Sequence, residues 1–302
     1  MTREAARVVR RRETLVRIGV ALRLAGVRYW TASVMPALVG TTLPLWLRPP
    51  GFTFRWIGAL EFLIATVLMH SGFSFLCARF ERNTGDGWTE AKLLGAAVTC
   101  VALASVVGLR LLRFTPDLIF VVYGVAVMLA GLLYVAPPVS FSRRVGGEVV
   151  VSMSLGLLPV LGAYLVQTGD LTRTVYLAAM PIYAATLLWE WTEQMAFLET
   201  RSAAGSETLV MVFGPRLSGR VVVPGLSALL FATVLVAVLS ESVMPLALAA
   251  LVLAVPIVRI MTVSWRDYDD ASEMLKVRTA ALAVHSALCA VLIASSLWAA
   301  AN

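Results

Sequence analysis

Nine apolar segments separated by polar breaks constrain this 302-residue chain more than any other feature of its sequence. They cover residues 30–48, 56–78, 92–112, 118–136, 148–167, 174–196, 219–239, 244–263 and 279–299. Each is close to the ~20 residues that an α-helix needs to cross a bilayer. A bilayer offers no water to unpaired backbone groups, so such segments fold as helices. The sequence therefore predicts an all-α polytopic membrane bundle of nine transmembrane helices.

Positive charges are distributed unevenly between the two sets of breaks. If the N-terminus is cytosolic, 20 of the 25 Lys and Arg residues lie on the cytosolic side, and the five outside are Arg48, Arg55, Arg110, Arg113 and Arg173. The positive-inside rule produces this asymmetry. We therefore expect a multi-pass protein of the cell membrane with its C-terminus outside. The net charge of +7 is dispersed over helix ends, which fits contact with membrane lipid rather than nucleic acid.

Residues 1–28 precede the first apolar segment and contain eight arginines. Arg17, Arg23 and Arg28 interrupt the stretch that a signal peptide would need to keep apolar. We expect either an interfacial helix or an irregular basic arm on the cytosolic side. The predicted organisation is this N-terminal arm followed by a transmembrane domain over residues 29–302.

The long cytosolic breaks after the second and sixth segments are four helices apart. That offset suggests an internal duplication whose two loops meet over one cavity. Glu190 and Glu193 lie three residues apart near the cytosolic end of the sixth segment, so they share a helix face. Because a charge in hydrocarbon is costly, we expect both to face the bundle interior. We interpret Glu61, near the other end of the second segment, as a neutral, hydrogen-bonded carboxylic acid.

Two further acidic features are given structural interpretations. Asp267, Asp269, Asp270 and Glu273 precede the last segment, where Asp270 or Ser272 is expected to cap the final helix. Asp86 lies in a glycine-containing loop and is interpreted as a turn former. The three cysteines have no paired spacing, so neither a disulfide framework nor a zinc site is expected.

Several segments together resemble the UbiA superfamily of intramembrane prenyltransferases, and most closely its dihydroxynaphthoate prenyltransferases of menaquinone biosynthesis. The similar stretches are residues 28–33 (RYWTAS), 36–41 (PALVGT), Tyr134 with Pro137 and Pro138, 144–148 (RVGGE), 156–169 (GLLPVLGAYLVQTG), and Gly205, Thr208, Leu209 and Gly214. The resemblance covers nearly the whole chain. It implies a lateral apolar cavity that opens near the cytosolic loops.

Catalysis in that family uses two aspartate-rich motifs that hold Mg²⁺ against the diphosphate of a prenyl donor. The motifs have the patterns N-D-x-x-D and N-x-x-x-D-x-x-x-D, and both are degenerate in this chain. Residues 77–81 read CARFE, which keeps only the final acid as Glu81. Residues 193–201 read EQMAFLETR, with Glu193 in place of asparagine and Phe197 and Arg201 in place of the two aspartates.

In one interpretation, the protein remains a prenyltransferase that joins an isoprenoid from a prenyl diphosphate to an aromatic acceptor. Glu81 and Glu193, with Glu190 or Glu199, would then hold one Mg²⁺. Arg201, helped by other arginines, would bind phosphate oxygens directly. The candidate catalytic residues are Glu81, Glu190 and Glu193, and the candidate substrate-binding residues are Arg28, Arg79, Tyr134, Arg143, Arg144, Glu199 and Arg201.

Two other interpretations dispense with the two-metal site. A divergent isoprenoid cyclase would use Glu190 or Glu193 as a proton donor, with aromatic faces stabilising the resulting carbocation. Alternatively, the chain would be a non-catalytic isoprenoid or quinone binder, since loss of metal ligands is also the expected outcome of lost catalysis.

Overall fold

The computed structural model describes residues 18–81, 87–115 and 117–302, and this part of the chain is helical without strands. The ten helices that we number are α1 (Thr31–Leu47), α2 (Trp56–Phe80), α3 (Glu90–Leu111), α4 (Leu118–Val135), α5 (Gly147–Thr168), α6 (Arg173–Ala196), α7 (Leu198–Ala203), α8 (Leu209–Leu239), α9 (Pro245–Arg266) and α10 (Ala271–Ala301). The predicted all-α class is confirmed.

Seven of the described helices are long and apolar enough to cross a membrane: α2, α3, α4, α5, α8, α9 and α10. The protein is therefore a multi-pass membrane protein. Two more helices coincide with predicted spans. Helix α1 is apolar but only 17 residues long, whereas α6 has 24 residues and carries two glutamates. The count of nine spans stays a prediction.

Helix α6 is the central element of the bundle. Seventeen of its 24 residues are buried, and it packs against α5, α8 and α10. Its alanines permit close approach of these neighbours, while Trp189 and Trp191 fill the space near its C-terminal end. Helix α4 is the opposite case, because only 11% of its apolar window is buried and its Leu and Val side chains face outward.

Glycines bring the backbones of neighbouring helices into contact. A Cβ at Gly40 in α1 would lie 2.1 Å from the carbonyl oxygen of Val160 in α5. At Gly219 in α8, a Cβ would lie 2.2 Å from the carbonyl oxygen of Ser264 in α9. Without a strong hydrophobic drive between helices in lipid, such close packing is a main source of association.

The connections at one end of the bundle are fixed by side-chain contacts. Glu148, at the start of α5, accepts a hydrogen bond from the Leu209 backbone N–H at 2.9 Å and so anchors the start of α8. The chain then turns at Gly214, whose φ of 76° favours glycine. Asp270 caps α10 by accepting from the N–H groups of Ser272 and Glu273, as predicted.

The described part of the N-terminal segment packs on the bundle. Residues 18–24 are helical, and Leu24 is buried against Phe75, Ala78 and Leu93 of α2 and α3. Most of the predicted arm, residues 1–17, lies outside the described residues, as does Asp86.

Candidate functional site

A cavity of about 580 Å³ opens at the ends of α2 and α6. Its walls come from α2, α4, α5, α6 and residues 20–29, and its volume is in the range of sites for small ligands. Most of the wall is apolar or aromatic, including Phe73, Val135, Leu155 and Trp189. The ionisable side chains on it are Arg23, Tyr29, His70, Cys77, Glu81, Tyr134, Glu190, Glu193 and Arg201.

The ends of α2 and α6 contribute side chains to this one cavity, as the spacing of the loops predicted. Glu81 is the C-terminal capping residue of α2. Glu190 and Glu193 lie in the last turns of α6, and the short helix α7 returns Arg201 to the same space. The two acidic side chains of α6 share a helix face because they are three residues apart.

Glu190 is 4% exposed and lines the cavity wall. Its Oε1 accepts a hydrogen bond of 2.6 Å from the Nε2 of Gln194, one turn further along α6. The side-chain amide therefore fixes the orientation of this carboxyl group.

Glu193 makes an ion pair with Arg278 of α10, in which the guanidinium Nε donates to Oε2. Both side chains are only 11% exposed. The Tyr29 hydroxyl lies 3.3 Å from Oε1 of the same carboxylate and also accepts from Arg278. One carboxylate thus joins three parts of the chain, α6, α10 and the N-terminal segment.

Burial raises the pKa of Tyr29 above its usual 10.0, and the negative charge of Glu193 adds to the effect. Arg278 and Arg28 oppose it. Tyr29 is therefore a neutral phenol at physiological pH, able to donate to Glu193. Arg28 donates to the Tyr29 hydroxyl, but its own side chain is exposed and lies outside the cavity wall.

Arg201 places a guanidinium in the cavity wall. Its Nη1 donates to the backbone carbonyl of Ser142 at 3.3 Å, and its buried Nε has no partner among the described residues. Burial alone would lower the pKa of Arg201, but the nearby acidic groups, led by Tyr134 and Glu190, raise it overall. A charged guanidinium with free donors is well suited to phosphate or carboxylate recognition.

The other predicted substrate-binding residues lie around the cavity rather than on its wall. Arg143 donates to the carbonyl oxygen of Phe80 at 3.0 Å, which ties the loop after α4 to the end of α2. The guanidinium of Arg79 lies 5.4 Å from the centre of the Phe80 ring. Arg144 and Glu199 are exposed. Among the predicted site residues, the structure thus brings together Glu81, Tyr134, Glu190, Glu193 and Arg201, and leaves the roles of the others as predictions.

The described residues do not fit a magnesium ion at Glu81 and Glu193. Magnesium requires several free oxygen ligands in near-octahedral geometry. The Glu193 carboxylate is engaged by Arg278 and Tyr29, and one Glu190 oxygen by Gln194. In residues 18–81, 87–115 and 117–302, no three His, Cys, Asp or Glu side chains are grouped as a metal site.

Sequence reasoning missed two residues of the candidate site, Arg278 and Tyr29. Arg278 lies 85 residues from Glu193 and Tyr29 lies 164 residues from it, so no local pattern reports these contacts. The one indication of such a contact was the predicted burial of Glu193, because a buried glutamate requires a nearby cation. That requirement predicts a partner without saying which of the arginines supplies it.

No protein-family model matches the chain, and no curated protein matches its sequence. Solved structures do match it. A digeranylgeranylglyceryl phosphate synthase has 11% sequence identity and a TM-score of 0.66, with 93% of this chain and 99% of that chain covered. A UbiA homologue from Archaeoglobus fulgidus has 15% identity and a TM-score of 0.65 at the same coverage. The same homologue bound to GPP and Mg²⁺ has 14% identity and a TM-score of 0.61, again at the same coverage. This chain therefore has the fold of these UbiA homologues.

Proposed function

We propose that this protein is an atypical prenyltransferase that moves an isoprenoid from a prenyl diphosphate to an aromatic acceptor inside the membrane. The observation that carries the proposal is the cavity at the ends of α2 and α6, with the Arg201 guanidinium in its wall. A related fold binds GPP in the Archaeoglobus homologue. The loops around the cavity are proposed to face the cytosol, with the C-terminus outside.

The apolar wall would hold the isoprenoid chain, and the charged mouth would hold the diphosphate. Gly131 and Phe73 define part of the apolar wall, because a Cβ at Gly131 would lie 2.1 Å from the Phe73 ring. Any side chain at position 131 would therefore displace that ring. A dihydroxynaphthoate-like ring is the proposed acceptor, on the resemblance of residues 156–169 to that branch.

The proposed reaction gives a role to the charged and aromatic side chains of the cavity wall. Cleavage of the bond between C1 and the diphosphate oxygen leaves an allylic cation and transfers both bonding electrons to the diphosphate. Arg201 stabilises the negative charge that develops there. Trp189 and Tyr29, whose rings are 5.8 Å apart, offer aromatic faces to the cation. After the new carbon–carbon bond forms, the acceptor ring loses a proton, and the Glu190 carboxyl group in the cavity wall is its proposed acceptor.

A turnover assay on the purified full-length protein tests this proposal. Geranyl, farnesyl and geranylgeranyl diphosphate are supplied with a dihydroxynaphthoate acceptor, and pyrophosphate release is measured with Mg²⁺ and with EDTA. We expect release to fall by about 10-fold or more in Arg201→Ala, because a hydrogen bond to a charged group contributes about 1.5–3 kcal/mol. The matched control is Arg216→Ala, which removes an exposed arginine of α8 outside the cavity wall. Full pyrophosphate release by Arg201→Ala would contradict the proposal.

A second function is favoured by one observation: Glu190 is a buried carboxyl group on the wall of a largely apolar cavity. In an acid-initiated cyclisation, Glu190 would protonate a carbon–carbon double bond of an isoprenoid. The resulting cation would be attacked by a second double bond and would finally lose a proton to a base. Conversion of the isoprenoid without pyrophosphate release, abolished by Glu190→Gln, would support this function. Tight binding without any turnover would instead indicate a non-catalytic isoprenoid or quinone binder.

A further inference from the structure

A second concave surface lies between α9 and α10, away from the cavity described above. It has a volume of about 660 Å³ and shares no lining residue with that cavity. We call it the α9–α10 groove. Its apolar wall consists of Pro256, Ile260 and Val263 from α9 and Leu275, Val277, Ala280 and Ala283 from α10. A surface of this kind on a membrane protein is suited to an acyl chain.

Arg259 is a charged residue on the wall of this groove and within an apolar helix. It lies seven residues before Arg266, the last residue of α9, which places it about 10 Å inside that end. Its side chain is exposed, and it makes no hydrogen bond or ion pair with any residue that the structure describes. An arginine at this depth must pair with an anion or extend its side chain to the lipid headgroups.

The remaining charges of the groove come from the first turns of α10. Lys276 and Glu273 both line it and form an ion pair of 2.5 Å with each other. Because Glu273 offsets the charge of Lys276, Arg259 leaves the groove with one net positive charge. That charge complements a single phosphodiester, the anionic group of an acidic phospholipid.

We propose that the α9–α10 groove binds an anionic phospholipid. One acyl chain lies along the apolar wall, and the headgroup phosphate pairs with Arg259. Arg259 is well suited to this role because its planar guanidinium binds two phosphate oxygens at once. The proposal is independent of the reaction in the α2–α6 cavity, since the two sites have no residue in common.

Native mass spectrometry of the full-length protein tests the proposal. The purified chain in detergent is incubated with phosphatidylglycerol or with phosphatidylcholine of the same acyl chains, and bound lipid is counted. We expect a preference for phosphatidylglycerol that falls by about fivefold in Arg259→Gln, the value of one cation at a membrane surface. Arg259→Lys keeps the charge and should retain part of the preference.

The matched control is Arg266→Gln, which removes an exposed arginine from the same helix outside the groove. It should change the preference by less than about twofold. An equal loss in Arg266→Gln and Arg259→Gln would overturn the proposal, because the attraction would then be diffuse. Equal retention of both lipids by the wild-type protein would overturn it as well. Displacement of phosphatidylglycerol by inorganic phosphate or by geranyl diphosphate would also overturn it, since the occupant would then be a free anion or an isoprenoid.

Discussion

Helices α2 and α6 each carry a buried glutamate in an ion pair, and the two pairs lie in different surroundings. Glu61 of α2 contacts Arg110 at 2.9 Å and Arg113 at 2.8 Å, and these arginines are 61% and 43% exposed. Glu193 of α6 contacts Arg278, and there both partners are only 11% exposed. The arginines of the first pair can leave Glu61 for solvent or lipid headgroups, whereas the second pair is enclosed by the protein.

The contrast shows why one pair belongs to the scaffold and the other to the candidate site. The Glu61 cluster joins α2 to the end of α3, away from the cavity wall. The partners of the Glu61 carboxyl group are the guanidinium groups of Arg110 and Arg113, so its predicted hydrogen bonding is present. The Glu193 pair fixes α10 and Tyr29 beside the cavity, so its removal alters the site as well as the bundle.

The largest expected effect is that of Arg278→Ala. Removing one partner of a buried pair leaves an uncompensated charge, which typically costs about 3–5 kcal/mol. We therefore expect a loss of that size in the free energy of unfolding, measured by denaturant titration in mixed micelles.

The control for this prediction replaces both partners with methionine, Glu193→Met and Arg278→Met together. A buried ion pair replaced by apolar residues of similar size is often neutral or stabilising. The double variant should therefore be more stable than Arg278→Ala. If the double variant is as unstable as Arg278→Ala, the two side chains stabilise the bundle by packing rather than by neutralising each other's charge.

Glu61→Gln should have a smaller effect, about 1–2 kcal/mol, even though Glu61 has two cationic partners. Exposed ion pairs contribute about 0–1 kcal/mol each, because the freed arginines return to water. The same micelle titration measures it. A loss as large as that of Arg278→Ala would remove the distinction between the enclosed pair and the exposed one.

The smallest expected effect is a loss of folding stability at alkaline pH that depends on Tyr29. Its pKa in the folded protein is raised above the ordinary 10.0, so the folded state holds this proton longer than the unfolded state does. The stability that protonated Tyr29 contributes is fully present below pH 10 and is lost as the pH rises through the pKa of the folded protein. Tyr29→Phe should therefore lose less stability than the wild type above about pH 10. Parallel curves for the two proteins would show that Tyr29 does not titrate differently on folding.

The sequence predicted the helices well because the length of an apolar segment can be read from the local sequence alone. Residues 56–78 were expected to span, and α2 occupies Trp56–Phe80. The meeting of the ends of α2 and α6 at one cavity also followed from the four-helix offset of the loops after them. The placement of Arg201 and Glu190 on one cavity followed in turn.

The parts that could not be predicted are long-range pairings. Arg278 immediately precedes the last apolar segment, 279–299, whereas in the structure it lies within α10 and reaches Glu193. Residues 20–29 were assigned mainly to an arm, yet Val20, Leu24 and Tyr29 line the cavity. Both outcomes depend on how helices pack, which local periodicity does not encode.

Equilibrium binding of a non-ionising prenyl donor tests the central claim most directly. Geranyl thiolodiphosphate is titrated into the full-length protein and its Arg201→Ala and Arg216→Ala variants by isothermal calorimetry. We expect Kd to rise about 10-fold or more in Arg201→Ala and to stay within about twofold in Arg216→Ala. An unchanged Kd in Arg201→Ala would contradict the assignment of the α2–α6 cavity as an isoprenoid diphosphate site.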